Sequence, residues 1–479
     1  MEARRGHSMV TNLLPKTTSV PLLDVLKAGN RFEASVFSID AKNAKALIQS
    51  LNLEKAPLFG KGGLVDAYHC PRFKRPYVDR SGTPFFQPSQ ITETLPKPAR
   101  YLSKSAGDFE HLKVHKGQIL LTCSGTIGKL GLVTDHLNKA VFSHDMIRLT
   151  PKSNTMMGYI YTFLNSDVGQ LLLTTSNYGA VIQHIEPEHL EEIEIPLPED
   201  KVIQEIGEFT QHYLQALNRS NSLILEARSL LLEQLNLTTL EQLEQVGFRA
   251  SSNLQNISLN FKDLQARFDA SFHSPEAESI EKHFKLNKIK TLKLGDEKLS
   301  KEIFLPGRFK RVYVEGRYGV HFIGGKEIGN LDPRTGKKLS LQGHGDRISN
   351  ELLIKNNMLL VTRSGTIGKV TLAPSHWESW AASEHIIRVI PQDDLMAGYI
   401  YTWLSTEFGL EMVKRHTYGS VVDEIDDYHV REITVPMLSE ALISKIGALV
   451  VEANQLKAQA FEFERLAQKS LLEKVLKIK

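Results

Sequence analysis

The chain has only two cysteines, Cys70 and Cys123, in 479 residues, too few for a disulfide framework or a cysteine-built zinc site and in keeping with a reducing compartment. It has no long apolar run: nothing approaches the ~18 consecutive apolar residues of a membrane span, so no membrane partner is expected. The basic N-terminus lacks an apolar core followed by a small-residue cleavage site, so it does not read as a secretory signal and the expected location is cytoplasmic. Excess charge of one sign is also missing. Lys and Arg total 58 against 55 Asp and Glu, a net charge of +3, which excludes a histone-like polycation and an acidic disordered chain. Nucleic acid remains a partner only through local basic patches.

What is present is ordinary globular composition, 41% hydrophobic and 24% charged, in a length that suits two to four domains. The organising feature is an internal repeat. Ser124-Gly125-Thr126-Ile127-Gly128-Lys129 recurs unchanged as Ser364-Gly365-Thr366-Ile367-Gly368-Lys369, an offset of 240. The same offset joins the segment beginning Gly158-Tyr159-Ile160-Tyr161 to Gly398-Tyr399-Ile400-Tyr401, and Tyr178-Gly179 to Tyr418-Gly419. An offset of 236 joins Arg31-Phe32-Glu33-Ala34-Ser35 to Arg267-Phe268-Asp269-Ala270-Ser271, and Arg72-Phe73-Lys74-Arg75 to Arg308-Phe309-Lys310-Arg311. So long a period in two copies is a tandem duplication of a whole domain rather than a solenoid. The register changes between the tetrapeptide and the hexapeptide, where the two halves diverge.

Each half reads as a mixed α+β domain. Apolar strings such as Ile119-Leu120-Leu121-Thr122 and Leu359-Leu360-Val361-Thr362 are expected to be buried strands entering a glycine turn. A helix and a proline-stopped strand follow in each copy. After each domain the spacing turns to the alternation of three and four that marks a coiled-coil seam. Ile206, Phe209, Tyr213, Leu223 and Leu230 lie on it in the first copy, with Ser220 a polar interruption, and Ile446, Leu449, Leu456 and Phe463 in the second. These are the candidate interface residues. Leu471, Val475 and Ile478 extend the second seam after a stutter. Duplication symmetry favours an antiparallel pair, each helix starting at its own domain. The expected divisions are an extension over 1–30, a first domain over 31–200, a spacer helix over 201–247, a connector over 248–266, a second domain over 267–438 and a second spacer helix over 439–479.

Catalytic patterns are not found. The hexapeptide is no P-loop, because Gly125 and Gly128 are too close and Lys129 precedes leucine rather than Ser or Thr. Neither a dinucleotide fingerprint, a nucleophile elbow nor a His-Glu-x-x-His pair occurs, and no histidine spacing suited to a metal is duplicated. No catalytic residue, metal ligand or cofactor site is assigned.

Binding chemistry is better represented. In both halves the Arg-Phe-Lys-Arg sequence is followed by a tyrosine and another arginine, so Arg72, Lys74, Arg75, Tyr77 and Arg80 match Arg308, Lys310, Arg311, Tyr313 and Arg317 as candidate DNA contacts. Arginine forks suit phosphate oxygens and guanine edges, and a nearby aromatic supports stacking. The competing reading is a solvated loop anchored by Phe73 and Phe309. Ser124, Thr126 and Lys129, with Ser364, Thr366 and Lys369, are candidates for phosphate contact from the hairpin; the alternative is that the hexapeptide only makes a tight turn.

Together these residues resemble the specificity subunit of type I restriction-modification enzymes: the repeated Ser-Gly-Thr-Ile-Gly-Lys, the glycine-tyrosine helix, Ile195-Pro196-Leu197-Pro198, the opening Ile203-Gln204-Glu205-Ile206 of a long helix, and the two domain starts at Arg31 and Arg267. The second exit, Pro436-Met437-Leu438-Ser439, lacks the Pro-x-Pro of the first. The resemblance implies two target-recognition domains, each reading half of an asymmetric bipartite duplex site, and an antiparallel coiled coil docking two methyltransferase subunits. Restriction subunits complete such assemblies. S-adenosylmethionine, ATP and magnesium would belong to those partners, not to this chain. The stretches 75–117 and 311–357, where the halves diverge, are expected to hold base readout. Two other readings stand beside this one: a specificity-like adaptor of another methylation-based phage-defence system, and a methyltransferase-nuclease fusion remnant, which would need an Asn-Pro-Pro-Tyr or Asp-Pro-Pro-Tyr motif that the chain lacks.

Overall fold

The computed structural model describes residues 19–27, 38–175, 184–240, 242–243, 261, 264, 267–269, 271–419 and 423–478. The Arg31 to Ser35 copy of the repeat, Tyr178, Gly179, Ala270 and most of the 248–266 connector lie outside them.

Ten strands form the first domain: β1 (Glu54–Pro57), β2 (Val65–His69), β3 (Tyr77–Val78), β4 (Thr83–Phe86), β5 (Arg100–Leu102), β6 (Ile119–Thr122), β7 (Leu130–Leu132), β8 (Val141–Phe142), β9 (Met146–Pro151) and β10 (Glu194–Leu197). They make a large sheet in the order β2-β9-β6-β7, a small sheet β3-β5-β4-β8 and a separate pair β1-β10. The second domain repeats this strand for strand with β11 (Thr291–Lys293), β12 (Ser300–Phe304), β13 (Tyr313–Val314), β14 (Gly319–Ile323), β15 (Lys338–Ser340), β16 (Leu359–Thr362), β17 (Val370–Leu372), β18 (Ala381–Ala382), β19 (Ile386–Pro391) and β20 (Thr434–Pro436). Its sheets are ordered β12-β19-β16-β17, β13-β15-β14-β18 and β11-β20. Pairing is antiparallel except β4 with β8 and its copy β14 with β18.

The inner strands β6 and β16 of the large sheets are apolar up to a closing threonine because both their faces are covered: all four residues of each are buried. Each then enters the repeated hexapeptide, whose glycines take left-handed φ values of +73° and +83° in the first copy and +77° and +74° in the second, a conformation that favours glycine. The preceding threonine closes the turn. The Thr122 hydroxyl donates to the Thr126 carbonyl at 2.6 Å and accepts from the Lys129 amide at 3.0 Å, and Thr362 does the same with Thr366 and Lys369.

A buried arginine pins the junction between the large and small sheets of each domain. Arg148 on β9 donates to the carbonyls of Leu112 at 3.1 Å and Phe142 at 3.4 Å, and Arg388 on β19 to those of Ser383 at 2.8 Å and Ala382. Both side chains are fully enclosed, and burial depresses their basicity, that of Arg388 to about 9.

The two long helices span Asp200–Gln234 and Glu440–Ser470 and run antiparallel. Glu205 meets Lys474, the His212 and Phe463 rings lie 5.1 Å apart, and the Ser220 hydroxyl donates to the Ala453 carbonyl at 2.8 Å. The polar interruption in the first seam is thus satisfied across it. With 35 residues, the first helix is about 52 Å long at 1.5 Å per residue. It stops at Gln234 rather than continuing to 247, because Asn236 adopts a left-handed φ of +52°.

Each helix leaves its own domain across a glycine crossing. A Cβ on Gly158 would come within 2.8 Å of the Gly207 Cα, and one on Gly398 within 2.4 Å of the Gly447 carbonyl oxygen. At its far end each helix completes the core of the other domain. Leu223, Ile224, Ala227, Leu231 and Leu235 pack with Ile387, Tyr399 and Trp403 of the second domain, and Ala467, Leu471, Val475 and Leu476 with Ile147, Tyr159 and Phe163 of the first. The extension of the second seam becomes a wide turn over Leu471–Leu476, whose apolar side serves this purpose.

Candidate nucleic-acid interface

Both Arg-Phe-Lys-Arg segments lead into the edge strand of a small sheet. The phenylalanine is the anchor: Phe73 packs edge-on to Phe85 at 6.2 Å, and Phe309 to Phe322 at 6.5 Å. The loop is solvated as foreseen, with Arg72, Lys74, Arg308 and Lys310 exposed, and its ring is half-buried against the small sheet rather than fully buried. The last arginine of each segment is tied inward. Arg75 pairs with Asp145 and Arg311 with Glu384, both at 2.7 Å. Burial alone would raise the two carboxyls, but the hydrogen bond from the arginine holds each below its ordinary range. The acid has changed place between the copies, from Ser143-His144-Asp145 to Ser383-Glu384-His385, while the pair is retained.

The first arginines differ. Arg308 reaches Glu424 at 3.3 Å, which together with Asp426 also binds Arg363 at the hairpin base. No ion pair of Arg72 occurs among the described residues. Tyr77 and Tyr313 are 46% and 42% exposed on β3 and β13, wet enough to meet a ligand. Arg317 is exposed, its guanidinium 5.7 Å from the Tyr318 ring centroid.

The hairpin tips separate into two cases. Thr126 and Lys129 are exposed and Ser124 half-buried; Thr366 is exposed and Ser364 lies 3.4 Å from His385. Lys369, however, does not face solvent. Its ammonium sits 2.7 Å from Glu93 of the first domain and 3.3 Å from the Lys326 carbonyl, which takes it out of a phosphate-binding role. Arg80 is diverted in the same way, to Glu407 at 3.1 Å and Glu411 at 2.9 Å of the second domain.

These contacts belong to a direct junction between the domains, which the helices do not hold fully apart. Glu93 bridges Asn330, the Thr94 amide donates to the Gly329 carbonyl at 2.9 Å, and the Lys97 ammonium donates to the Ser405 carbonyl at 2.6 Å. Burial, followed by the charge of Arg228, lowers Lys97 to about 7. Beside this junction a cavity of about 700 Å³ opens between both domains and both helices, with Lys129, Asp332, Arg334 and Glu464 on its wall. Glu464 accepts from the Tyr161 hydroxyl and the Asn165 amide, each at 3.1 Å, and burial, then the charge of Asp332, raises its carboxyl to about 7. No local spacing singled out Lys97, Glu93 or Glu464, because each acts on a residue more than 270 positions away or across the helix pair.

The seam residues are interior. Ile206, Leu223 and Ile446 have no exposed surface, and Tyr213 stacks on Tyr161 at 6.2 Å. Phe209, Leu230, Leu449, Leu456 and Phe463 are half-buried. They form the contact between the two helices and their domains. Among the described residues no cluster of His, Cys, Asp and Glu could hold a metal ion, and no helix is long and apolar enough to cross a membrane. Cys70 and Cys123 are buried thiols, and burial pushes Cys123 up to about 12.

Residues 62–227 match the family model of the type I restriction modification DNA specificity domain. Among solved structures the chain is similar to the S subunit of a type I restriction-modification system from M. genitalium, at 16% identity over 89% of this chain and 96% of that one, with a TM-score of 0.31. It is also similar to the HsdS subunit from Thermoanaerobacter tengcongensis, at 12% identity over 86% and 97% of the two chains, with a TM-score of 0.27. A third similar chain comes from a structure of complex assembly and conformational transition of the type I R-M system, at 14% identity, 87% and 99% coverage and a TM-score of 0.28. No curated protein matches the chain.

Proposed function

We infer that this chain, whose residues 62–227 match the family model of the type I restriction modification DNA specificity domain, is a DNA sequence-specificity subunit whose two domains read the two halves of a bipartite duplex site. One observation carries the reading. The matched domain is followed by a second with the same three sheets in the same strand order, so the fold offers two equivalent frames on which different side chains are presented.

The antiparallel helices and the junction between the domains would fix the distance between the half-sites. The loops differ in sequence between the copies, so the half-sites would differ. Exposed Arg72, Lys74, Arg308 and Lys310 would meet phosphates, and the modest net charge of +3 suits a protein that shares backbone contacts with partners. Catalysis would lie with methyltransferase subunits, which bring S-adenosylmethionine, and with restriction subunits, which bring ATP and magnesium. A specificity-like adaptor of another methylation-based defence system would present the same surfaces; the two readings differ in the partner, not in this chain.

The test is to map methylated adenines in cells that express the cognate methyltransferase with and without this chain. Methylation at an asymmetric bipartite sequence only when the chain is present is the expected result. Unchanged methylation in its absence would refute the reading.

A further inference from the structure

The sheet register aligns the two domains residue by residue where their sequences have diverged. Tyr77 pairs with Leu102 across β3 and β5, and Tyr313 with Leu339 across β13 and β15. Counting back along β5 and its copy, Arg100 therefore occupies the same place as Lys337. Each holds its charge over the ring of the equivalent tyrosine: the Arg100 guanidinium is 5.9 Å from the Tyr77 centroid and the Lys337 ammonium 5.8 Å from that of Tyr313. A cation over an exposed aromatic has been kept at one position of the fold while the cation itself has changed.

These two cations differ from the four nearby ones that are engaged within the protein. Arg75, Arg80, Arg311 and Lys369 are each bound to a carboxylate. Arg100 and Lys337 are exposed, and among the described residues neither has an ion pair. Arg100 lies on β5 and Lys337 immediately before β15, each beside the edge strand β3 or β13 of a four-stranded sheet, and a major groove about 12 Å wide admits two paired strands such as that edge pair. A guanidinium grips guanine O6 and N7 with two donors at fixed angle; an ammonium reaches the same atoms as a point charge without the fork.

We propose that the Tyr77–Arg100 pair and the Tyr313–Lys337 pair are equivalent base-reading positions of the two domains, and that the exchange of arginine for lysine is one source of the difference between the half-sites. The proposal rests on the specificity reading above and adds the residues that carry it. Tyrosine restrains the cation so that less freedom is lost when it meets a base edge.

The test uses the full chain co-purified with its methyltransferase, presented with a pool of random-sequence duplex DNA, the bound fraction being sequenced. Arg100→Ala is expected to cut the preference at one base pair of one half-site by roughly ten-fold or more, with the other half-site unchanged, and Lys337→Ala to do the converse. Lys337→Arg is expected to sharpen selection for guanine at the position that Lys337→Ala relaxes. Co-purification with the partner and an unchanged circular dichroism spectrum report that each variant is folded. If both alanine variants keep the wild-type sequence preference, or if they weaken all sequences equally with a shallower salt dependence, the assignment is overturned and the residues are at most phosphate contacts. If the wild-type complex selects no sequence, the specificity reading itself fails and this assignment with it.

Discussion

The ammonium of Lys369, at the tip of a hairpin in the second domain, lies 2.7 Å from the carboxylate of Glu93 in the first. The pair is about four-fifths enclosed on both sides, so its partners are shielded from salt more than a surface pair is. Lys369→Ala leaves the largely enclosed Glu93 carboxylate without its cation and is expected to cost about 1–3 kcal/mol in urea unfolding. The same variant should leave the salt dependence of DNA binding unchanged. A slope lower by about one counterion would put Lys369 on a phosphate after all.

Arg72 and Lys74 should behave in the opposite way. Alanine at either is expected to leave unfolding within about 0.5 kcal/mol of the parent, because neither is buried. Each should weaken DNA binding for all sequences and reduce the slope of log K against log salt by about one. Wild-type affinity over the whole salt series would return the loop to a purely solvated role.

The glycine crossings permit no side chain. A Cβ on Gly447 would come within 2.1 Å of the Leu395 carbonyl oxygen, so Gly447→Ala forces the second long helix away from its domain. A loss of about 1–3 kcal/mol or more in denaturant unfolding is expected. Gly365→Ala has open space around the new methyl and is strained only through its φ of +77°, so it should cost no more than about 1–2 kcal/mol.

Stability should depend on pH through Glu464. Its carboxyl is raised from 4.5 to about 7 by burial and by the neighbouring Asp332, so between those values the folded chain holds a proton that the unfolded chain has released. This contribution makes stability fall as pH rises through that window and level off above it. Glu464→Gln is expected to remove the slope, leaving the variant equal to the parent near pH 4 and ahead of it by up to about 3 kcal/mol at pH 8. Urea unfolding of both proteins at pH 4 and pH 8 measures this; a variant no further ahead of the parent at pH 8 than at pH 4 would contradict it.

Much of the architecture was legible in the chain because it is written in local period. The strands on either side of the repeated hexapeptide announce themselves by unbroken apolarity, and the three-and-four spacing from Ile206 onward needs only the helix repeat to be read. The glycine crossings were not, since Gly207 and Gly447 interrupt a helical pattern and declare their purpose only when Gly158 and Gly398 lie against them. The site was legible in its anchors, Phe73 and Phe309, but not in its allocation of charge. Whether an arginine stays free for a ligand or is engaged within the protein depends on a carboxylate that is remote in sequence, as Glu407 and Glu411 are from Arg80. Arg100 and Lys337 escaped notice because they differ in identity and stand at an offset of 237, which only the strand register makes equivalent.

The reciprocal completion of the two cores bears on which part of the chain could be exchanged for a foreign one. The repeat suggests that a domain with its following helix is the exchangeable piece. Residues 223–235, however, fill the second domain's interior, and residues 467–476 fill the first's. A crossover that imported a foreign first domain together with its whole helix would present unfamiliar side chains to an unaltered neighbour. The separable unit is therefore the sheet region with only the near part of its helix, and chimaeras joined before Leu223 are expected to fold better than chimaeras joined at the connector.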